Sequence, residues 1–221
     1  IACSNRKAKE AHRGLEWGPE TTIEEWSDVW RATADEGLPA REMYVGDSFS
    51  KQCRTIESDS EGGVVWIVSA GGGLLKTTDL IPSYQSTFTG SGPTPAEWSA
   101  LPQGGLERIQ LSEGDRVVLC VPEPYQKAVI ADDSWERVSG FSISIGPGVA
   151  RDTCREALPT HPRLREVLEC GAMKIWTHLL EHYLESEDPR DHFSRLVERA
   201  EGLPEKPIRE SIPTTEELDE I

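Results

Sequence analysis

The residues best suited to chemistry gather at two points where a strand is predicted to end. The first is Cys3-Ser4-Asn5-Arg6-Lys7 and the second is Ser69-Ala70-Gly71-Gly72-Gly73. Cys3 is a candidate nucleophile, because a neighbouring cation such as Lys7 raises the thiolate fraction of a cysteine. The glycines would let a backbone approach a ligand closely and would offer N–H donors to it. Because ligands of open α/β sheets bind at the carboxyl ends of strands, we expect both segments to border one site.

Each segment also has a purely structural interpretation. Cys3 is equally suited to be a small buried residue at a strand end, and three glycines are equally suited to a tight turn. The glycine run matches neither the phosphate-loop spacing nor the dinucleotide-binding pattern. The sequence also lacks the nucleophile elbow of α/β-hydrolases and the zinc-binding HExxH motif. The sequence therefore carries no signature of a P-loop nucleotide hydrolase, a dinucleotide-binding enzyme, an α/β-hydrolase or an HExxH metalloprotease.

The elements that must position these segments alternate between strand and helix. Thr22 caps a predicted amphipathic helix from about Ile23 to Asp35. Continuous apolar runs predict buried strands at 64–68 and 116–121, and alternation predicts a third strand at 138–145. This order predicts an α/β fold with a mixed or mostly parallel central sheet flanked by helices.

The C-terminal third is predicted to be helical. An apolar stripe at helical spacing runs from Leu164 to Tyr183, and Asp188-Pro189 opens a further helix. We therefore predict an α/β core with the candidate site over residues 1–150 and a helical portion over 151–202 that packs on it. Residues 203–221 are rich in acidic residues and proline, and we expect an extended tail there.

Composition and charge limit the classes of function. The 221 residues suffice for one large domain, and no apolar run approaches the roughly 20 residues of a membrane span. Five scattered cysteines without metal-ligand spacing predict reduced thiols in a cytoplasmic protein, with no metal site. The net charge of −16 opposes indiscriminate binding to nucleic acid, although residues 6–13 are locally basic. Since Ile1 and Ala2 resemble the end of a strand, we also expect residues to precede them.

Four segments, taken in order, resemble the YaaA-like superfamily and its phage and defence-island relatives. They are Ala2-Cys3-Ser4-Asn5-Arg6-Lys7, Met43-Tyr44-Val45-Gly46-Asp47-Ser48-Phe49-Ser50-Lys51, Trp66-Ile67-Val68-Ser69-Ala70-Gly71-Gly72-Gly73-Leu74-Leu75 and Leu80-Ile81-Pro82-Ser83-Tyr84. Within the superfamily the chain is similar to the DpdC family of the DNA 7-deazaguanine modification system, a system for restriction-modification and antiphage defence. Where relatives often carry an aromatic residue, this chain has Gly72.

The resemblance implies an enzyme that hydrates the nitrile of a 7-cyano-7-deazaguanine base in DNA to the 7-amido form, with no cofactor. Its partners would be DNA, held locally by the basic N-terminal turn, and other modification-system proteins, but no membrane. The candidate catalytic residues are Cys3, Lys7, Lys51 and Tyr44. The candidate substrate-binding residues are Ser4, Asn5, Arg6, Ser48, Ser69, Gly71, Gly72, Gly73 and Tyr84.

The roles within this set follow from the chemistry of nitrile hydration. Cys3 would attack the nitrile carbon, and Lys7, Lys51 or Tyr44 would protonate the nitrogen or orient water. The N–H groups of Gly71 to Gly73 would stabilise developing negative charge. Because a base inside a duplex is sheltered, the enzyme would have to flip it out or meet it unpaired.

Two other functions are compatible with the same residues. The first is a non-catalytic nucleotide- or DNA-binding module of a defence system. The second is an interaction adaptor that docks partners through Trp26, Trp30 and the acidic tail.

Overall fold

The computed structural model describes residues 1–59, 62–172 and 174–204. Within them, helices alternate with short strands and occupy the C-terminal part. The helices are α1 Ile23–Thr33, α2 Ala40–Met43, α3 Asp47–Glu57, α4 Glu123–Ile130, α5 Trp135–Ser139, α6 Leu164–Val167, α7 Ile175–Leu184 and α8 Pro189–Glu201. The strands are β1 Leu38–Pro39, β2 Trp66–Ser69, β3 Gly73–Lys76, β4 Leu80–Ile81, β5 Val117–Leu119, β6 Ser142–Ser144 and β7 Glu156–Ala157. The predicted α/β class and the helical C-terminal part are confirmed.

The predicted single central sheet is wrong for the described residues. β1 pairs with β4 and β2 with β3, both antiparallel, while β5, β6 and β7 form a parallel sheet. The cause is the glycine turn, because the chain reverses at once after β2 and Ser69 faces Gly73 across a hairpin. β2 therefore takes its partner locally rather than through a helical crossover.

Helix α1 begins as its sequence predicts and buries the tryptophans on its inner face. Thr22 Oγ1 accepts a hydrogen bond from Glu25 N at 3.2 Å, which satisfies one of the free N–H groups of the first turn. Trp26 and Trp30 are each only 1% exposed. A docking surface formed by these two rings is therefore excluded, and they belong to the core beneath the candidate site.

The chain after β5 departs from the sequence prediction in two places. The strand predicted at 138–145 is instead the end of α5 followed by β6. The helical stripe from Leu164 to Tyr183 is broken between α6 and α7, where Glu169 adopts a φ of 48°. The helix predicted at Asp188-Pro189 is confirmed as α8, and Asp188 caps it by accepting from Asp191 N.

Two groups of buried apolar residues form the interior. One lies between Leu15 and Ala150 and contains the aromatic residues near the N-terminal segment, and the other joins β6 to α7 and α8. The division at residues 150 and 202 stays a prediction, and residues 205–221 of the predicted tail lie outside the described residues. Among the described residues, none of the helices is both long and apolar enough to cross a membrane.

Candidate functional site

The N-terminal segment is attached to the end of β2 and to the turn after α2. Ala2 forms a parallel bridge with Val68, and Cys3 N donates to Val68 O at 3.0 Å. Farther along, Lys7 forms an antiparallel bridge with Tyr44. These backbone contacts place Cys3 beside the carboxyl end of β2 and Lys7 beside the turn after α2.

Below this segment, three buried hydroxyl groups form a closed ring of hydrogen bonds. The Tyr84 hydroxyl lies 2.7 Å from that of Tyr44 and 2.6 Å from Ser69 Oγ, and the Tyr44 hydroxyl donates to Ser69 Oγ at 3.2 Å. Tyr44 and Ser69 are fully buried and Tyr84 is 2% exposed. Burial, followed by the negative charge of the Cys3 thiolate, raises the pKa of both tyrosines. Both hydroxyls therefore stay protonated and position their surroundings, and Tyr44 does not reach a ligand.

The glycine turn is bound to the same ring. Gly72 N donates to Ser69 Oγ at 2.9 Å and Gly71 N donates to it at 3.3 Å. Gly73 has a φ of +89°, in the left-handed region that favours glycine. The turn is buried, and two of the N–H groups predicted to hold a ligand are already used inside the protein.

Lys7 is the cation nearest to this ring. Its Nζ lies 4.2 Å from the centre of the Tyr84 ring and 5.9 Å from that of Tyr44. Burial lowers the pKa of Lys7, and the nearby Cys3 partly offsets this. Within the part of the chain that the structure describes, no carboxylate forms an ion pair with it. Lys7 is thus a half-buried lysine whose ammonium lies over the faces of two buried tyrosines.

Lys7 and Tyr84 open onto a cavity of about 330 Å³. Its other lining residues are Asn5, Lys9, Ala11, Ser83, Gln85, Ser86 and Thr87. These described residues include two lysines and no carboxylate, although the whole chain carries a net charge of −16. The cavity is therefore a local positive region that suits an anionic or electron-rich ligand.

Cys3 stands at the edge of this cavity rather than in its wall. On the N-terminal segment, the lining residues are every second one from Asn5 to Ala11, and Cys3 continues that series. Cys3 is half-buried, and its charge affects the pKa of Lys7. The thiol and the ammonium therefore lie within electrostatic range of each other.

Three of the predicted binding residues lie on the N-terminal segment and at the start of α3. Ser4 Oγ accepts from Arg6 N at 3.1 Å. Arg6 is largely exposed and lies 4.0 Å from Asp47, the first residue of α3. Ser48 follows in the first turn of α3 and is half-buried. None of these residues lines the cavity.

Lys51 is directed elsewhere. Its Nζ lies 2.7 Å from Glu181 Oε1, so it forms an ion pair that joins α3 to α7. A second contact, from Gln52 to Thr177, joins the same two helices. The structure thus gives Lys51 a role in helix packing, because its ammonium is already paired away from the cavity.

Sequence reasoning missed Tyr125, which lies in the first helical turn after β5. Its hydroxyl lies 3.6 Å from Cys3 Sγ. Sequence reasoning also missed Lys9 and the polar run from Gln85 to Thr87. The alternation of Cys3, Asn5, Lys7 and Lys9 was a signal for Lys9, whereas Tyr125 has no comparable signal in the sequence around it.

Other parts of the described chain do not add ligands to this site. Across residues 1–59, 62–172 and 174–204, His, Cys, Asp and Glu side chains form no group of three or more that could hold a metal ion. All five cysteines are unpaired thiols. A larger cavity of about 770 Å³ contacts β2, β3 and β5, and none of the predicted site residues lines it.

The fold and the site define an α/β protein with a cysteine and a lysine at the edge of a small cationic cavity. The chain belongs to a protein family of unknown function, DUF6884, whose model matches residues 30–140. That span holds Tyr44, Tyr84 and Tyr125, whereas Cys3 and Lys7 precede it. No curated protein and no solved structure matches the chain.

Proposed function

We propose that this chain is an enzyme of DNA modification that hydrates the nitrile of a 7-cyano-7-deazaguanine base in DNA to the 7-amido form. The observation that carries the proposal is that Lys7 lines the cavity with no carboxylate partner among the described residues, while the Cys3 thiol lies within electrostatic range of its ammonium. The resemblance of the N-terminal segments to the DpdC family supports the choice of substrate.

The two groups supply what nitrile hydration needs. The Cys3 thiolate adds to the nitrile carbon while Lys7 gives a proton to the nitrogen, which forms a covalent thioimidate. Water then adds to the same carbon and gives one of its protons to the nitrogen. The carbon–sulfur bond breaks as the other proton returns to Lys7, which releases the amide and regenerates both the Cys3 thiolate and the Lys7 ammonium. The sum is one nitrile and one water converted to one amide, so no oxidant, reductant or cofactor is consumed.

The cavity supports binding of a single base rather than a duplex. Its volume of about 330 Å³ is near the lower end of small-ligand pockets, which begin at about 300 Å³. A base in a duplex would therefore have to be flipped out or met unpaired. Lys7, Lys9 and Arg6 would attract the DNA phosphates, while the net charge of −16 would keep that attraction local and sensitive to salt. In this proposal the protein acts in the cytoplasm beside other modification-system proteins.

The direct test uses single-stranded DNA that carries one 7-cyano-7-deazaguanine. After incubation with the protein, mass spectrometry should show that the base has gained the mass of one water. Cys3→Ala should abolish the gain, whereas Cys170→Ala, a matched change at another half-buried thiol, should retain it. No gain with the wild type would refute the function, and full activity in Cys3→Ala would refute the thiol mechanism.

A non-catalytic nucleotide-binding module is the second candidate. It is favoured by one observation, namely that Cys3 does not line the cavity while Lys7 and Lys9 do. This candidate predicts that an oligonucleotide binds without turnover and that Cys3→Ala binds it as tightly as the wild type. Fluorescence anisotropy with the same DNA, measured beside the mass assay, distinguishes the two.

A further inference from the structure

The geometry points to Tyr125 as a further catalytic residue of this site, whose hydroxyl donates a hydrogen bond to the sulfur of Cys3. The two residues are 122 positions apart in the chain, and their side chains meet at 3.6 Å. This inference rests on the proposed function for its catalytic meaning. The contact itself is independent of any substrate.

The first turn of α4 is held in place by the residue after Tyr125. The Gln126 side chain is fully buried and donates to Val121 O at 3.0 Å and to Pro147 O at 2.8 Å. It also accepts a hydrogen bond from Ala150 N at 3.1 Å. Since α4 is tied to the loops on both of its sides, the backbone of Tyr125 has little freedom to move away from Cys3.

The ring of Tyr125 is held as well. Phe88 packs against it edge to face, with the ring centres 5.0 Å apart. Among the described residues, the hydrogen-bond partner of the Tyr125 hydroxyl is the Cys3 sulfur. Tyr44, the tyrosine that the sequence favoured, has its hydroxyl enclosed by Ser69 and Tyr84 and has no such contact.

The direction of the hydrogen bond follows from the surroundings. Burial, followed by the negative charge of the Cys3 thiolate, raises the pKa of Tyr125. The hydroxyl therefore keeps its proton at neutral pH, and it is the donor when Cys3 is a thiolate, because a thiolate has no proton to give. A donor at this position stabilises the thiolate before attack and again when the sulfur leaves the tetrahedral intermediate.

The test measures the thiol rather than turnover. Iodoacetamide alkylation of the Cys3 peptide is followed by mass spectrometry across pH in the wild type and in Tyr125→Phe. A hydrogen bond to a charged group shifts the equilibrium towards the charged form by about a factor of ten or more. We therefore expect the variant to hold about tenfold less Cys3 thiolate near neutral pH. Its alkylation profile should then move to higher pH. Tyr183→Phe, a matched loss of a hydroxyl in the C-terminal interior, should leave the profile unchanged.

Each outcome decides the inference. An unchanged profile in Tyr125→Phe would overturn it, whether or not the protein hydrates the nitrile. If the profile moves but no hydration occurs, the contact stands and the proposed function fails. If Tyr125→Phe loses its native circular dichroism spectrum, Phe88→Leu is the second variant. It frees the Tyr125 ring but keeps its hydroxyl. We expect it to shift the alkylation profile in the same direction by a smaller amount. An unchanged profile there would likewise overturn the inference.

Discussion

Replacing Gly71 with alanine should destabilise the protein through one specific clash. A Cβ built at this position would lie 2.5 Å from Tyr84 Cδ2 and closer still to Cε2. Carbon atoms in contact are normally about 3.5 to 4.0 Å apart, so the Tyr84 ring would have to move by about 1 Å. That movement is opposed on several sides, since Tyr84 is 2% exposed and packs against Trp26, Trp30 and Tyr44.

The cost can be estimated from two contributions. Overpacking a well-packed interior costs about 1 to 3 kcal/mol. Moving the ring also stretches the 2.6 and 2.7 Å hydrogen bonds of its hydroxyl, and losing one such bond costs about 1 kcal/mol. We therefore expect Gly71→Ala to lower the free energy of unfolding by about 2 to 4 kcal/mol.

Urea unfolding followed by tryptophan fluorescence measures this loss. Gly140→Ala is the matched control, because its added Cβ would meet no atom within 4 Å and its backbone is helical. That variant should be neutral or slightly stabilised. If the clash with Tyr84 is the cause, Gly71→Ala should cost much less in a Tyr84→Leu background. A wild-type midpoint for Gly71→Ala in the otherwise native chain would refute the packing described around the hydroxyl ring.

Three further predictions follow from the charged groups. If protonated Lys7 is the acid, the rate of hydration should decline at alkaline pH as Lys7 loses its proton. Because burial lowers the pKa of Lys7, this decline should begin below the pH range in which an ordinary lysine titrates. Lys7→Met should remove this alkaline decline from the pH profile. Lys51→Met should keep wild-type turnover and lose only about 0.5 kcal/mol of stability, because Lys51 pairs with Glu181; a loss of turnover would contradict its placement. Burial, followed by the charge of His192, lowers the pKa of His182, so stability should fall as the pH drops below about 6.5. His182→Gln should weaken that fall in urea titrations at pH 5 and pH 7.5, and an unchanged fall would contradict the assignment.

The elements that were predictable from the sequence are those with local causes. Helix α1 has its cap at Thr22 and its apolar residues at helical spacing, and α8 has Asp188 and Pro189 at its start. The caps act within a single turn of helix, and the apolar spacing lies within one helix. The strand predicted at 138–145 is right only for its later part, where β6 lies, because short alternation at its start cannot be told from the helical spacing of Trp135 and Val138.

The site was predictable only in part, for a similar reason. Cys3 and Lys7 share one short segment, so their common location follows from the chain itself. The contact between Cys3 and Tyr125 depends on how α4 packs, and nothing local encodes it. Lys51 was predicted as a site residue for the opposite reason, because its local sequence suggested a role that a distant contact rules out. Its ammonium forms an ion pair with Glu181, which lies on a helix far along the chain.

The covalent intermediate tests the central claim, that Cys3 attacks the nitrile, most directly. The protein is mixed with DNA carrying the 7-cyano base, the reaction is quenched with acid early in turnover, and the protein is digested and analysed by mass spectrometry. The account predicts the modified base attached to the peptide that contains Cys3, and no such adduct in Cys3→Ala. Formation of the amide by Cys3→Ala at the wild-type rate, with Cys3 of the wild type left unmodified throughout the reaction, would contradict it.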